Sequence, residues 1–164
     1  MRNSYRMAAA AGALVASGLI ATANSAAPDP LAHLTGRWVG RAVMTSTSGP
    51  ESSFKCVVTY LPRRDAPGMK QSLRCENDAN FKLYAATELA VEDGKVVGRW
   101  QDKINEFEGT VDGVVTPTGF EVQLNGRFFQ AKMAVAGEGC DQSVHVFPQN
   151  AGVFRELAAT LKKC

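Results

Sequence analysis

The stretch FKLYAATELAVEDGKVVGRWQ, residues 81–101, carries the clearest structural signal in the chain. Its first half places apolar residues at alternate positions, namely Phe81, Leu83, Ala85, Leu89 and Val91. A period of two residues is typical of a strand with one buried face. Asp93-Gly94 then marks a tight hairpin turn. The stretch therefore predicts two neighbouring antiparallel strands.

The same alternation continues on both sides of this hairpin. From Gly36 onward, alternating runs are separated by turn residues about every eight to twelve positions, and Asn125-Gly126 is a second strong hairpin signal. The predicted strands are residues 37–46, 53–61, 69–76, 81–91, 96–101, 106–115, 120–124, 127–135 and 140–147. We therefore predict an all-β domain, a single antiparallel meander β-barrel of about eight or nine strands.

The C-terminal tail, residues 150–164, fits two structures. Val153, Leu157 and Leu161 lie on one stripe at both helical and strand spacing. The tail is rich in good helix formers and has two lysines near its end, which favours a helix. The alternative is a closing strand whose inner face consists of Val153, Leu157, Ala159 and Leu161.

The N-terminus has the pattern of an export signal. Arg2 and Arg6 precede an uncharged run over residues 8–23, which has the length of a signal-peptide core rather than of a membrane span. Small residues follow, as a cleavage site requires. We expect residues 1–26 to be a signal peptide and residues 27–164 to be a periplasmic or extracellular domain without a stable membrane anchor.

The net charge of this predicted mature domain is near zero. The chain has 18 Lys and Arg against 16 Asp and Glu, and removal of Arg2 and Arg6 leaves 16 of each. Binding of nucleic acid depends on an excess of positive charge. We therefore expect no nucleic-acid partner.

All four cysteines lie downstream of the predicted signal. Cys56 and Cys75 flank one predicted chain reversal, and Cys140 and Cys164 flank another. Of the three ways to pair four cysteines, two local bridges fit these positions best. There is no C-x-x-C spacing and the chain has two histidines, so a metal or redox site does not fit. We expect two structural disulfides, no metal and no cofactor.

Two polar clusters are candidates for a catalytic site. Asp141, Ser143 and His145 share one face of a predicted strand. Side chains two residues apart on a strand lie about 6.5 Å apart and point in parallel, so a nucleophile and its base would not converge. A second cluster, which we interpret as solvated surface, consists of the carboxylates Asp102, Glu106, Glu108 and Asp112. The sequence thus predicts no catalytic residue, and we expect a protein that is not an enzyme.

Aromatic residues occur in nearly every predicted strand, and most of them must form the core. Four are candidates for closing the barrel or lining a ligand site, namely Trp38, Tyr60, Phe81 and Trp100. The interior of a small barrel is either filled by side chains or open to a small apolar ligand.

Leu34-Thr35-Gly36-Arg37-Trp38, at the start of the first predicted strand, resembles the L-x-G-x-W opening of the lipocalin and avidin-type (calycin) barrels. The resemblance implies a lipocalin-like barrel whose base is closed by Trp38. For the arginine that packs on this tryptophan in lipocalins, the candidates are Arg127 and Arg155. The biotin-binding set of avidins is not recognisable. More broadly, the chain is similar to small secreted proteins of alphaproteobacteria, which implies a location and no activity.

These observations predict a non-catalytic secreted or periplasmic barrel that binds a small apolar or amphipathic ligand in its mouth. The alternative is an envelope protein-interaction or enzyme-inhibitor module that contacts its partner through loops such as Pro62 to Gly68. A third hypothesis is an unrecognised hydrolase, which would require converging polar side chains in a cleft.

Overall fold

The computed structural model describes residues 28–150 and 154–164. Within this part of the chain, a short 3-10 helix, Ala32–Leu34, precedes ten strands. The strands are β1 (Gly36–Ser46), β2 (Ser52–Pro62), β3 (Gly68–Glu76), β4 (Lys82–Glu92), β5 (Lys95–Asp102), β6 (Glu108–Thr116), β7 (Gly119–Gly126), β8 (Gln130–Glu138), β9 (Asp141–Pro148) and β10 (Phe154–Lys162). The predicted signal peptide, residues 1–26, lies outside the described residues.

The strands form one closed antiparallel barrel. Each strand pairs with the next along the chain, and β1 also pairs with β10. The predicted all-β meander barrel is confirmed, with ten strands in place of the eight or nine expected. Within the described residues, no helix has the length and apolar character needed to cross a bilayer.

The additional strand is the tail, and the expectation that it forms a helix is wrong. Residues 154–162 form β10, which pairs with both β1 and β9. Without β10, those two strands would be edges with unpaired backbone groups. Completion of the hydrogen-bond ladder and burial of Ala159 and Leu161 outweigh the helix-favouring composition.

Side chains alternate strictly between the interior and the exterior of the barrel. In β2, for example, Phe54, Cys56, Val58 and Tyr60 point inward and are buried. The inward positions of all strands form one continuous apolar core. Burial of this surface is the dominant favourable contribution to folding.

One end of the barrel is closed by the segment that precedes β1. Leu31 and Leu34 are fully buried and pack with the core. Asp29 fixes this segment, because its carboxylate accepts hydrogen bonds from the backbone N–H of Leu31 (2.9 Å) and of Gly68 (3.1 Å). The lead into the fold is therefore held in place from Asp29 onward.

Cys56 pairs with Cys75 and Cys140 with Cys164, the two pairings that the chain reversals predict. The first bridge joins directly opposed residues of β2 and β3, with a Cα–Cα distance of 4.2 Å, and lies inside the barrel. The second joins the β8–β9 turn to the residues after β10, with a Cα–Cα distance of 5.3 Å. It ties the chain end to the closed end of the barrel.

Candidate ligand site at the open end of the barrel

We call the end covered by the 3-10 helix the closed end and the opposite end the open end. The described loop residues at the open end are 47–51, 77–81, 103–107, 127–129 and 149–150. No segment comparable to the 3-10 helix covers the open end among the described residues. The inner wall near the open end is therefore the candidate site.

The inner wall near the open end is apolar, and apart from Phe54 and the Cys56–Cys75 bridge it is only partly buried. Its inward-facing members, which pack against the core while keeping part of their surface exposed, are Met44, Leu73, Leu83, Trp100, Leu124, Val146 and Leu157. At the closed end, by contrast, Trp38, Tyr60 and Phe120 are almost completely buried. Apolar surface for a ligand is thus available at the open end.

Trp100 is the largest side chain of this wall, and two glycines make room for it. A Cβ atom at Gly109 would lie 2.7 Å from Nε1 of Trp100, and one at Gly126 would lie 2.8 Å from its Cζ2. Gly109 and Gly126 are paired across β6 and β7, so together they form a recess for the indole. The ring of Phe129 meets that of Trp100 edge-on at 6.1 Å and stacks with that of Phe154 at 6.4 Å.

Two polar atoms of the inner wall are buried without a hydrogen-bond partner among the described residues. They are Oε1 of Gln71, whose side chain is 8% exposed, and Nε1 of Trp100. Gln71 is paired with Thr87, and Thr87 with Trp100, so the two residues lie two strands apart on one cross-strand row, about 10 Å at the backbone. One acceptor and one donor thus lie on either side of Thr87 on a mainly apolar wall, and Gln71 is the deeper of the two, because it is also opposite Tyr60.

The sequence pattern does not single out Gln71, because strand alternation is recognised by its apolar members. The signal was present: Gln71 occupies an inward position of β3 between Met69 and Leu73. A third buried atom without a partner is Nε2 of Gln142, at the closed end. The same side chain accepts a hydrogen bond from the hydroxyl of Tyr60 (3.4 Å), so it belongs to the closed-end packing.

The four aromatic residues singled out in the sequence divide between the two ends. Trp38 and Tyr60 are buried at the closed end, where Nε1 of Trp38 donates to the carbonyl of Leu34 (2.7 Å) and burial raises the pKa of Tyr60. Trp100 lies on the open-end wall. Phe81 lies just before β4 at the open end and packs on Phe54 with a centroid distance of 4.7 Å. The structure therefore does not join the four into one site.

The cation that packs on Trp38 is Lys163, and neither Arg127 nor Arg155 takes this place. Nζ of Lys163 lies 4.8 Å from the centroid of the Trp38 ring and donates to the carbonyls of His33 and Thr35. Arg127 lies over Phe128 at the open end, and Arg155 is exposed. The Cys140–Cys164 bridge, which anchors the neighbouring residue, was the sequence feature that could have identified Lys163.

The strand triplet Asp141, Ser143 and His145 faces outward, as the alternation predicts. Nδ1 of His145 lies 2.8 Å from the carboxylate of Glu156, and Nζ of Lys162 lies 2.9 Å from that of Asp141. Asp141 and His145 are thus engaged in surface pairs with β10. Among the described residues, no group of His, Cys, Asp and Glu has the arrangement of a metal site.

Of the carboxylates noted in the sequence, Asp102 has a structural role. Its side chain is buried and accepts hydrogen bonds from the backbone N–H of Ile104 (2.9 Å) and of Asn105 (3.3 Å). It therefore fixes the loop between β5 and β6. Glu106, Glu108 and Asp112 are exposed, in agreement with the interpretation as solvated surface.

Large apolar side chains surround the opening. We call this set the rim; it consists of Phe81, Ile104, Phe107 and Phe128. They come from three different loops, and the rings of Phe107 and Phe128 approach to 6.0 Å. Phe128 is the most exposed of them, at 66%. An apolar molecule that enters the barrel from this end would pass over apolar surface.

This barrel is similar in fold to a solved structure. A scan against protein-family models and a search of curated proteins found no match. Among solved structures, S-type phycobiliprotein lyase CPES from Guillardia theta is similar to this chain, with a TM-score of 0.61 and 10% sequence identity over 80% of this chain and 89% of that one. At this identity the similarity concerns the fold, and the predicted lipocalin-like meander barrel is thereby confirmed. The narrower resemblance to secreted proteins of alphaproteobacteria stays a prediction.

The expectation that the protein is not an enzyme is corrected by the same comparison. That expectation depended on a barrel fold without a catalytic motif. A protein with a similar barrel is a lyase by name. The fold therefore gives no reason to assign a non-catalytic role.

Proposed function

We propose that this protein binds a small, mainly apolar molecule at the open end of the barrel, in contact with Trp100 and Gln71. The observation that carries this proposal is the pair of buried polar atoms without partners, Oε1 of Gln71 and Nε1 of Trp100, on an apolar wall. A buried polar group without a partner costs about 1–3 kcal/mol. A ligand that supplies a donor to Gln71 and an acceptor to Trp100 would recover much of that cost.

The apolar part of the ligand would lie against the half-exposed wall. Side chains such as Leu124 and Leu157 keep exposed surface there, and removal of such surface from water contributes about 25 cal/mol per Å². A mainly apolar site with a few convergent polar groups is typical of small-molecule binding. Binding of this kind is compatible with a carrier and with an enzyme that acts on the bound molecule.

The probe for this site is Nile red, a neutral aromatic dye with a carbonyl acceptor. In a Trp38→Phe variant, tryptophan fluorescence reports on Trp100 alone. We expect Nile red to quench that fluorescence, and we expect Trp100→Ala and Trp100→Leu to weaken binding roughly tenfold or more. Trp38→Phe serves as the matched control and should bind like the wild type. Equal affinity in all variants, or no change in Trp100 fluorescence, would contradict the proposal.

One observation favours the alternative of a protein partner. It indicates the rim, and not the loop named in the sequence analysis, as the contact surface. The loop named in the sequence, Pro62 to Gly68, lies at the closed end, where Arg63 is bound to Asp65. A cluster of exposed aromatic side chains is instead on the rim, where the rings of Phe107 and Phe128 approach to 6.0 Å. A Phe128→Ser variant that loses a co-purifying protein while Nile red binding is unchanged would support this second candidate.

We also propose that the protein is exported and that residues 1–26 are removed. Two disulfides support an oxidising compartment, since such bonds are rare in the reducing cytosol. N-terminal sequencing of protein recovered from its natural source should begin at Ala27. Recovery of protein that still starts at Met1 would contradict export by cleavage.

A further inference from the structure

A second candidate site lies outside the barrel, on the outward face of β1 to β4. We call it the outer groove. It has a volume of about 560 Å³, within the range of small-molecule sites. Its outward-facing lining consists of the apolar residues Val39, Val57, Tyr84 and Ile104, the cations Arg37, Lys55, Arg74 and Lys82, and the carboxylate of Glu76.

The strand register explains why these residues share one surface. Val39, Val57, Arg74 and Tyr84 are successive cross-strand partners and form one row. Lys55, Glu76 and Lys82 form the next row, nearer the open end. Apolar side chains are thus set beside a line of charged ones, as an amphipathic ligand requires.

Ile104 completes the groove from a different part of the chain. The backbone N–H of Lys103 donates to the carbonyl of Tyr84 (2.6 Å), and Asp102 fixes the following residues. These bonds hold the β5–β6 loop against β4. Ile104, half-exposed, therefore forms an apolar wall of the groove, and Val39 lies on the groove floor with 48% of its surface exposed.

The charges of the groove are unbalanced. Four cations face one carboxylate, and none of the four is in a salt bridge within the described part of the chain. The guanidinium of Arg74 lies 4.7 Å from the centroid of the Tyr84 ring, and its proximity lowers the pKa of the Tyr84 phenol. The groove across β3 to β6 is different, since Lys70 there lies 3.7 Å from Glu88.

From this combination we propose that the outer groove binds a single-chain amphiphile with a carboxylate head group. The carboxylate would lie among Arg74, Lys55 and Lys82, where a guanidinium can form a paired hydrogen bond with it. The alkyl chain would lie along Val39, Val57 and Ile104. Most of this site lies on the outer surface of the barrel, although it shares Ile104 with the rim and Leu83 with the open-end inner wall.

Dodecanoate is the probe, titrated into the isotopically labelled protein and followed by amide NMR shifts. We expect shifts at residues 39, 57, 84 and 104, and roughly tenfold weaker binding in Arg74→Gln and in Lys82→Gln. Lys70→Gln is the matched control, because it removes the same charge from the same strand as Arg74 and should leave binding unchanged. Trp100→Ala should also leave it unchanged, which separates this site from the open-end site.

Three results would overturn the inference. The first is the absence of shifts at these residues with dodecanoate at about 1 mM. The second is shifts confined to the inner wall at the open end. The third is equal affinity in Arg74→Gln and Lys70→Gln, which would show that the groove cations do not hold the carboxylate.

Discussion

The two ends of the barrel use the same inward alternation and differ in what covers them. At the closed end, Trp38 is 1% exposed, its Nε1 is hydrogen-bonded to Leu34, and Lys163 packs on its ring. At the open end, Trp100 is only partly buried, and its buried Nε1 has no partner among the described residues. Both tryptophans follow a Gly-Arg pair in the sequence. The surroundings of a tryptophan, and not the local motif, therefore decide whether it stabilises the fold or can contact a ligand.

The largest expected effect is the difference between the stability losses that replacement of the two tryptophans causes. Trp38→Ala should lower the free energy of unfolding by about 3–5 kcal/mol, because it leaves a cavity in a fully buried site. Trp100→Ala should cost clearly less, about 2 kcal/mol, since its ring is already part-exposed. Urea unfolding of both variants measures the difference, and equal losses would contradict the assignment of the two ends.

Removal of the Cys140–Cys164 bridge tests how the closed end is held together. A Cys140→Ala/Cys164→Ala variant should lose about 3 kcal/mol of stability, because a cross-link of this loop length restricts the unfolded chain. It should also release Lys163 from Trp38. Thermal unfolding of this variant checks the first effect, and Trp38 fluorescence checks the second. If thiol titration of the denatured, unreduced wild type finds free cysteines, the assignment of both bridges is wrong.

A pair of glutamine substitutions should shift stability in opposite directions. Gln71→Leu removes a buried acceptor without a partner and should stabilise the protein by about 1 kcal/mol. Gln142→Leu also removes an unpaired buried atom, Nε2, but it leaves the buried Tyr60 hydroxyl without its acceptor and should on balance destabilise the protein by about 1 kcal/mol. Chemical denaturation of the two variants decides the point. Loss of stability in Gln71→Leu would mean that Gln71 is part of the packing and is not held for a ligand.

The smallest effect concerns the cation on Trp38. Lys163→Met should lower stability by about 0.5–1 kcal/mol through loss of the cation–π contact and of two hydrogen bonds. Lys162→Met is the neighbouring control, because Lys162 forms only an exposed pair with Asp141. Equal unfolding midpoints for the two variants would show that Lys163 does not help to close the barrel.

Most of the fold follows from the sequence, because period-two alternation and turn residues are local signals. The stretch around Asp93-Gly94 forms the β4–β5 hairpin as predicted. The exception is β10, whose composition favours a helix and whose strand conformation depends on partners far away in the chain, β1 and β9. Local propensity cannot report on such pairing.

Less of the candidate site could be predicted. The sequence identifies Trp100 and Phe81 as aromatic residues worth attention, but it does not show that Trp38 and Tyr60 lie at the opposite end. The strand on which a residue lies is readable from its neighbours, whereas its height in the barrel depends on the register of all ten described strands. The roles of Gln71 and Lys163 depend on their positions relative to residues that are distant in the sequence.

Native mass spectrometry of protein isolated from its natural source tests most directly whether the open end binds a small molecule. We predict that the wild type carries a non-covalent small-molecule mass and that Trp100→Ala, shown to be folded by circular dichroism, does not. Trp38→Phe should retain the additional mass. A wild type with the mass of the polypeptide alone, or a Trp100→Ala variant that keeps the bound molecule, would contradict this account.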